Sequence, residues 1–247
     1  MKEILIRRNT VLEALRGSRR EIFTLWLQDG LDKKQAQPVR EAAQQRGVRI
    51  QTADKQKIGR IAKDHSHQGM ALEVGQYVYS EVDEILGLAE RRGEKPFLLL
   101  LDLLHGPQNI GSLLRTAEIC GVHGVIVQDR RAPEITPAVV QYSAGAAEHL
   151  LVAQVTNLVQ TIRQLQQNNV WIVGMDLADD AQSLQQVDLN MPLGIVVGHE
   201  GQGMRRLVRE SCDIRLMLPQ KGHVESLNAA VAGSILIYQA WQARGFG

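Results

Sequence analysis

Cysteine and aromatic residues are scarce in this 247-residue chain, which has two Cys, three Phe, three Trp and four Tyr. Cys120 and Cys212 form no CxxC or Cys/His pattern, so the sequence predicts neither a disulfide framework nor a metal site. No apolar run reaches the roughly 18 residues that span a bilayer, and the N-terminal segment lacks the apolar core of a secretory signal. We therefore expect a cytoplasmic protein with no membrane partner.

Excess charge is also missing overall, because the formal net charge is +1. It is nevertheless unevenly distributed. Residues 1–76 contain 15 Lys and Arg against nine Asp and Glu, a formal charge of +6, and residues 77–247 carry −5. The basic N-terminal part indicates contact with a polyanion. A solvated surface with a chance imbalance explains the charge equally well.

The pattern along the chain predicts two domains joined by a linker. Residues 1–77 predict a small α/β domain, and residues 78–94 a polar linker containing a short acidic helix. Residues 95–247 predict a parallel sheet covered by helices, because short strands apolar on both faces alternate with helical segments. The strands of this part are predicted at 97–103, 124–128, 149–155, 170–175, 194–198 and 214–218.

The first strand of this larger domain runs into the turn HGPQNIGS, residues 105–112. The turn has neither the glycine spacing of a dinucleotide-binding loop nor a Walker lysine, so a phosphate cradle is disfavoured. Asn109 is predicted to cap the following helix. Arg115, further along that helix, is by itself typical of a solvated surface.

Two later segments have candidate ligand loops. GIVVGHEGQGMRR, residues 194–206, places Glu200 among three glycines after an apolar strand, which indicates either a ligand loop or a tight strand-to-helix connection. LMLPQKGHVESLNAAVAGS, residues 216–234, ends a strand at Pro219 and opens a long helix for which Ser226 is the predicted N-cap. The run of Ala, Gly and Ser after Asn228 allows close packing against a neighbouring backbone.

Three motifs in this order, N-x-G-S-x-x-R-T-A, G-H-E-G-Q-G-M and L-P-x-x-G-x-x-x-S-L-N, resemble the signatures of the SpoU/TrmH family. Its members are RNA ribose 2′-O-methyltransferases that use S-adenosylmethionine. RRNTVLEALRG and HSHQGMALEV are similar to the ends of the RNA-binding domain fused to many members, which itself is similar to a ribosomal protein. The resemblance covers nearly the whole chain. It departs at Gly106, where an Asp is frequent, and at His199, where a small residue is frequent.

The resemblance implies a parallel-sheet methyltransferase domain with a deep trefoil knot, and a homodimer formed through that domain. It implies that the cofactor is held largely by the backbone of Gly198, Leu218 and Leu227. The implied active-site residues are Asn109, Arg115, Glu200, Ser226 and Asn228. For the arginine, which has no acceptor atom, binding a substrate phosphate suits the chemistry better than removing a proton.

The substrate implied is a structured RNA and not DNA. The subgroup most similar in layout methylates a guanosine ribose of 23S rRNA. Transfer RNA is the alternative substrate, and a non-catalytic rRNA-binding protein on the same fold is the alternative function. A small-molecule α/β enzyme is a third hypothesis, which RNA binding by residues 1–76 would contradict.

Overall fold

The computed structural model describes residues 2–129, 134–178 and 181–246. Its strands are β1 (Glu3–Ile6), β2 (Ile22–Gln28), β3 (Arg49–Ala53), β4 (Met70–Val74), β5 (Phe97–Leu101), β6 (Gly124–Gln128), β7 (Leu151–Val155), β8 (Trp171–Met175), β9 (Gln182–Ser183), β10 (Leu193–Val197) and β11 (Ile214–Met217). Its α-helices are α1 (Arg8–Arg16), α2 (Lys33–Gln45), α3 (Lys55–Ala62), α4 (Val82–Arg92), α5 (Pro107–Ile119), α6 (Pro137–Tyr142), α7 (Leu158–Gln167), α8 (Arg206–Glu210) and α9 (Ala229–Ala243). Two single-turn 3-10 helices lie at Ala146–Glu148 and Leu184–Gln186.

The chain forms two compact units. The first contains the residues up to Val78 together with Ile135–His149, and the second contains Tyr79–Glu134 and the residues from Leu150 onward. The predicted linker region contains α4, which packs into the second unit through its buried Ile85 and Ala89. The first unit is therefore not continuous in sequence, because it includes Ile135–His149 from the middle of the chain.

The first unit has a four-stranded sheet in the order β1-β4-β2-β3, in which only β2 and β3 pair in parallel. A buried ion pair holds the inserted segment within this unit. Arg20 donates from Nε to Glu148 Oε1 at 2.7 Å and from Nη2 to the Ile135 carbonyl at 3.0 Å, and the side chains of Arg20 and Glu148 are almost fully buried. Removing Arg20 would leave the buried carboxylate of Glu148 without its cationic partner.

The second unit has a seven-stranded sheet in the order β7-β6-β5-β10-β8-β11-β9, with parallel pairing throughout the described strands. The prediction of an α/β fold with a parallel sheet is confirmed. Every residue of β5, β6 and β10 is buried, as expected for strands covered on both faces. These central strands fix the positions of the loops at their carboxyl ends.

Helix α9 packs closely on α5 and on strand β10. A Cβ atom on Gly233 would lie 2.8 Å from side-chain atoms of both Leu113 and Val197. The small residues of this helix therefore have a packing reason, as the sequence predicts. The knot implied by the family resemblance stays a prediction.

Two predicted helix caps are wrong. Helix α5 begins earlier than expected, with Gly106 as N-cap and Pro107 in the first turn, so Asn109 lies inside the helix. The N-cap of α9 is Asn228 and not Ser226, because Asn228 Oδ1 accepts hydrogen bonds from the backbone N–H of Ala230 and Val231 at 2.9 and 3.2 Å. Asn109, in the first turn of α5, and Asn228, the N-cap of α9, therefore both lie at the N-terminus of a helix.

Candidate active site

The carboxyl ends of β5, β10, β8 and β11 lie side by side, because these strands are parallel neighbours in the second unit. A cavity of about 330 Å³ lies at this edge, which is where open parallel sheets bind ligands. Its volume suits a small molecule. The cavity is lined by residues 175–177, 197–203, 216, 218, 220, 225–227, 229 and 232.

The loop after β10 forms one wall of the cavity and folds back on itself. His199 and Gly203 exchange two backbone hydrogen bonds of 3.0 and 2.9 Å. A Cβ atom on Gly198 would lie 2.4 Å from the carbonyl carbon of Gly203, so no side chain fits there. The His199 ring accepts from the Gly201 N–H at 3.1 Å and packs edge-on against His105, with centroids 5.5 Å apart. The tight turn thus brings residues 198–203 to the cavity wall.

Three predicted active-site residues from three separate motifs form one hydrogen-bonded cluster. Asn109 Nδ2 donates to Glu200 Oε1. Asn228 Nδ2 donates to the same Glu200 oxygen at 3.1 Å and to Asn109 Oδ1 at 3.3 Å. Because Asn228 also caps α9, its side-chain orientation is fixed from both sides. Glu200 lines the cavity and thus joins it to this cluster.

The residues predicted to bind the cofactor all line the cavity. Gly198 follows β10, Leu218 follows β11, and Leu227 precedes α9. Leu218 is buried, whereas Leu227 is 41% exposed. Ser226 is exposed beside Leu227 and also lines the cavity. The loop after β10 and both ends of the loop that joins β11 to α9 therefore meet at one place.

Arg115 stands apart from the other predicted site residues. It is exposed on α5, and within residues 2–129, 134–178 and 181–246 it makes no hydrogen bond or ion pair. Six residues separate it from Asn109, which places the two roughly 120° apart around the helix. It is not among the residues that line the cavity. Its guanidinium is available to a partner outside this unit.

Sequence reasoning missed Asp102, which anchors the far end of the glycine-rich loop. Its fully buried carboxylate accepts from the Arg205 backbone N–H and from Arg205 Nε, both at 2.8 Å. Arg205 also donates to Gln128 Oε1 at 2.8 Å. A polar residue at the end of an all-apolar strand was the available signal. The missed Asp176 lines the cavity at the end of β8.

Neither cysteine is a candidate nucleophile. Burial raises the pKa of the Cys120 thiol to about 11 and that of the Cys212 thiol to about 12, so both stay protonated near neutral pH. Across the described parts of the chain there is no group of three or more His, Cys, Asp or Glu residues placed to hold a metal ion. No described helix has the length and apolar character needed to cross a membrane.

Fold and site together define a class of protein: an α/β protein with a ligand cavity at the carboxyl edge of a parallel sheet, and a separate small domain. Two family models match the chain. The SpoU rRNA Methylase family matches residues 96–238, and the family described as RNA 2′-O ribose methyltransferase substrate binding matches residues 8–80. The chain belongs to the SpoU/TrmH family of RNA methyltransferases.

Similar proteins span nearly the whole chain. A putative TrmH family tRNA/rRNA methyltransferase, YacO of Bacillus subtilis, is 41% identical over 98% of this chain and 96% of its own length. The SpoU methyltransferase AviRb of Streptomyces viridochromogenes, solved with AdoMet, has a TM-score of 0.81 at 22% identity, covering 100% of this chain and 92% of its own. An AdoMet-bound rRNA methyltransferase of Sinorhizobium meliloti has a TM-score of 0.78 at 21% identity, covering 98% and 87%. The two solved structures establish the fold.

Proposed function

We propose that this protein transfers a methyl group from S-adenosylmethionine (AdoMet) to a ribose 2′-hydroxyl of RNA. The observation that carries the proposal is the double role of Glu200, which lines the cavity and accepts from both Asn109 and Asn228. One residue thus joins a cavity of cofactor size to a polar cluster beside it. The two AdoMet-bound structures of similar fold support this assignment of the cavity.

The residues present fit AdoMet. The backbone groups of Gly198, Leu218 and Leu227, which all line the cavity, would hold the cofactor. AdoMet, when bound, supplies a methyl group on a positively charged sulfonium. Glu200 and Ser226 give this cavity the polar groups that orient such a ligand.

The Asn109–Glu200–Asn228 cluster serves as a positioning device. Methyl transfer requires the ribose oxygen, the methyl carbon and the sulfur in line, and holding reactants in that geometry supplies much of the acceleration. The ribose oxygen gains the carbon and loses its proton, while the electron pair of the broken C–S bond stays on sulfur. An arginine has no acceptor atom, so Arg115 binds an RNA phosphate, and that phosphate or water takes the proton.

The first unit supplies a basic surface suited to RNA. A cleft of about 770 Å³ in this unit is lined by Arg7, Arg8 and Lys55 together with His65 and His67. No Asp or Glu is among its described lining residues. A cation-lined cleft without carboxylates attracts a phosphate backbone, and binding through it is expected to weaken with salt. This supports an RNA-binding role for the N-terminal domain predicted over residues 1–77.

The proposed target is a guanosine ribose of 23S rRNA, because the whole-chain layout resembles that subgroup. Transfer RNA is the alternative, since the similar protein of Bacillus subtilis has a name covering both substrates. Incubating the protein with methyl-labelled AdoMet and with rRNA or tRNA from cells lacking this gene tests the proposal. We expect label in 23S rRNA at a 2′-O-methylguanosine. Label only in tRNA would overturn the rRNA target, and label in no RNA would overturn the enzymatic function.

Arg115→Ala tests the placement of this residue on the RNA side. We expect methyl transfer to be abolished and AdoMet binding, measured by calorimetry, to be nearly unchanged. Arg163→Ala is the matched control, because Arg163 is exposed on α7 in the same unit and does not line the cavity. Loss of AdoMet binding in the Arg115 variant would contradict this role.

We further propose that the protein is a homodimer joined through α5 and α9. Val231, Ile235 and Tyr238 form an apolar row along α9, and each is 39–49% exposed. The row borders a groove of about 640 Å³ that also contacts Asn109 and Asn228. Light scattering is expected to give twice the chain mass for the wild type and the single mass for Ile235→Glu. A wild-type protein of single mass would contradict the dimer.

A further inference from the structure

Asp176 is a carboxylate at the carboxyl end of β8 that none of the three sequence motifs contains. Its backbone N–H donates to the Leu216 carbonyl at 3.0 Å, which extends the pairing of β8 with β11. Its Oδ1 accepts from the Leu177 N–H at 2.8 Å. Asp176 also lines the proposed cofactor cavity. Hydrogen bonds therefore fix the backbone N–H and Oδ1 of Asp176.

The second carboxylate oxygen, Oδ2, is buried and has no hydrogen-bond partner within the described residues. Buried polar atoms in native proteins nearly always have such a partner, because leaving one unsatisfied is costly. Arg215 Nη1 lies 3.8 Å from Oδ2, which is close enough for charge pairing but too long for a hydrogen bond. Arg215 thus balances the charge of the Asp176 carboxylate, but Oδ2 has no hydrogen-bond donor within the described residues, and Asp176 lines the cavity.

The strand order indicates how far Asp176 lies from the proposed site of methyl transfer. β10 separates β8 from β5, so the two carboxyl ends are about 10 Å apart at the usual strand spacing. The proposed methyl transfer takes place near Asn109 and Glu200, which follow β5 and β10. Asp176 then lies on the side of the cavity away from the reacting sulfonium. The two parts of AdoMet that extend from its sulfur, the nucleoside with its ribose diol and the amino acid end with its ammonium group, are therefore the candidate donors to Asp176.

The chemistry of the two candidate donors also differs. The ammonium group of AdoMet is a cation, and Arg215 already supplies positive charge at Oδ2. The ribose diol offers neutral hydroxyl donors that satisfy an acceptor without adding charge. A carboxylate at a strand end that accepts from a ribose hydroxyl is a solution that other nucleotide-binding sheets also use.

We propose that Asp176 accepts a hydrogen bond from the ribose diol of AdoMet, an inference that rests on the proposed function. Titration calorimetry of the full chain tests it with two probes, S-adenosylhomocysteine and 5′-methylthioadenosine. Both probes contain the diol, and only the first has the ammonium group. Asp176→Asn is expected to weaken both by about 10- to 150-fold, the range for a hydrogen bond to a charged group. Asp188→Asn is the matched control, because Asp188 is exposed in the same unit and does not line the cavity.

A third probe needs no variant and so does not depend on how Asp176→Asn folds. The wild type is expected to bind the 2′,3′-dideoxy form of 5′-methylthioadenosine more weakly than the parent by a similar factor. Asp176→Asn is expected to bind the two alike. Equal affinities of Asp176→Asn and Asp188→Asn for S-adenosylhomocysteine would overturn this inference alone. A loss confined to S-adenosylhomocysteine would overturn the diol as the donor, and a wild type that binds neither probe would overturn the proposed function as well.

Discussion

Replacing Gly198 by Ala is expected to disable the cofactor cavity while leaving the rest of the domain folded. The added Cβ would lie 2.4 Å from the Gly203 carbonyl carbon and 2.5 Å from the Met204 nitrogen. Both are backbone atoms of the same turn, so neither can rotate away as a flexible side chain would. The turn must open, because every rotamer of alanine places its Cβ at the same point.

The magnitude follows from the contacts that are lost. Overpacking a close contact costs about 1–3 kcal/mol. The two hydrogen bonds between His199 and Gly203 contribute about 1 kcal/mol each when they open. A cost of about 3–5 kcal/mol then opposes AdoMet binding, which is roughly a 140- to 3,700-fold weaker affinity at 1.4 kcal/mol per tenfold. Titration calorimetry with AdoMet measures it directly.

Gly222→Ala is the matched control, in the loop between β11 and α9. Nothing lies within 4 Å of a Cβ atom at Gly222, its φ is not positive and it does not line the cavity, so AdoMet affinity is expected to stay within about twofold of wild type. Gly203→Ala is expected to fall between the two, because its position is open but its φ of 65° strains an alanine by about 1–2 kcal/mol. Equal affinities of the Gly198→Ala and Gly222→Ala variants for AdoMet would refute the steric argument. If the Gly198→Ala variant did not fold, the expectation that the damage stays within the loop would be wrong.

Three further perturbations have defined outcomes. Asp102→Asn is expected to lower the free energy of unfolding by about 1–3 kcal/mol in urea titration, because Arg205 loses a buried anionic acceptor but is itself 44% exposed; an unchanged midpoint would contradict the anchoring role. Gly233→Ala is expected to cost about 1–3 kcal/mol in the same assay by crowding the α9 packing, and a stabilised variant would contradict close packing there. Burial lowers the pKa of His123 below its usual 6.5, so the unfolded state binds more protons and stability falls as pH decreases below about 6.5. The His123→Asn variant is expected to lose less stability than the wild type between pH 6.5 and 5. An unchanged dependence of stability on pH would contradict the role of His123.

The regular elements of the larger domain could be predicted closely from the sequence, because strands buried on both faces have unbroken apolar runs. Residues 124–128 were predicted without error as β6, and β5, β7, β8, β10 and β11 lie within two residues of their predicted bounds at each end. The strand Glu3–Ile6 was missed because it is four residues long and flanked by charged residues. The strand Gln182–Ser183 has only two residues, too few to produce an alternating pattern. Short edge strands are specified by their pairing partner more than by their own composition.

The N-caps of α5 and α9 were also not predictable from local sequence alone. Ser226 and Asn109 have the right side chains for capping, and local propensity cannot distinguish them from Asn228 and Gly106. The observed choice depends on where the chain turns against the sheet edge. Asn109 is then free to donate to Glu200, 91 residues away, a pairing that no local pattern encodes.

The sequence by itself determined the α/β class, the family and the ordered motifs, because these depend on local periodicity and on residues spaced closely along the chain. Only the tertiary structure brought Glu200 to Asn109 and Asn228, set Asp102 under Arg205, and placed Asp176 in the cavity wall. It also left Arg115 exposed and apart from that cluster. The physical reason is that parallel strands deliver their carboxyl ends to one edge in an order set by pairing, and that order, β5-β10-β8-β11, is not the order of the chain.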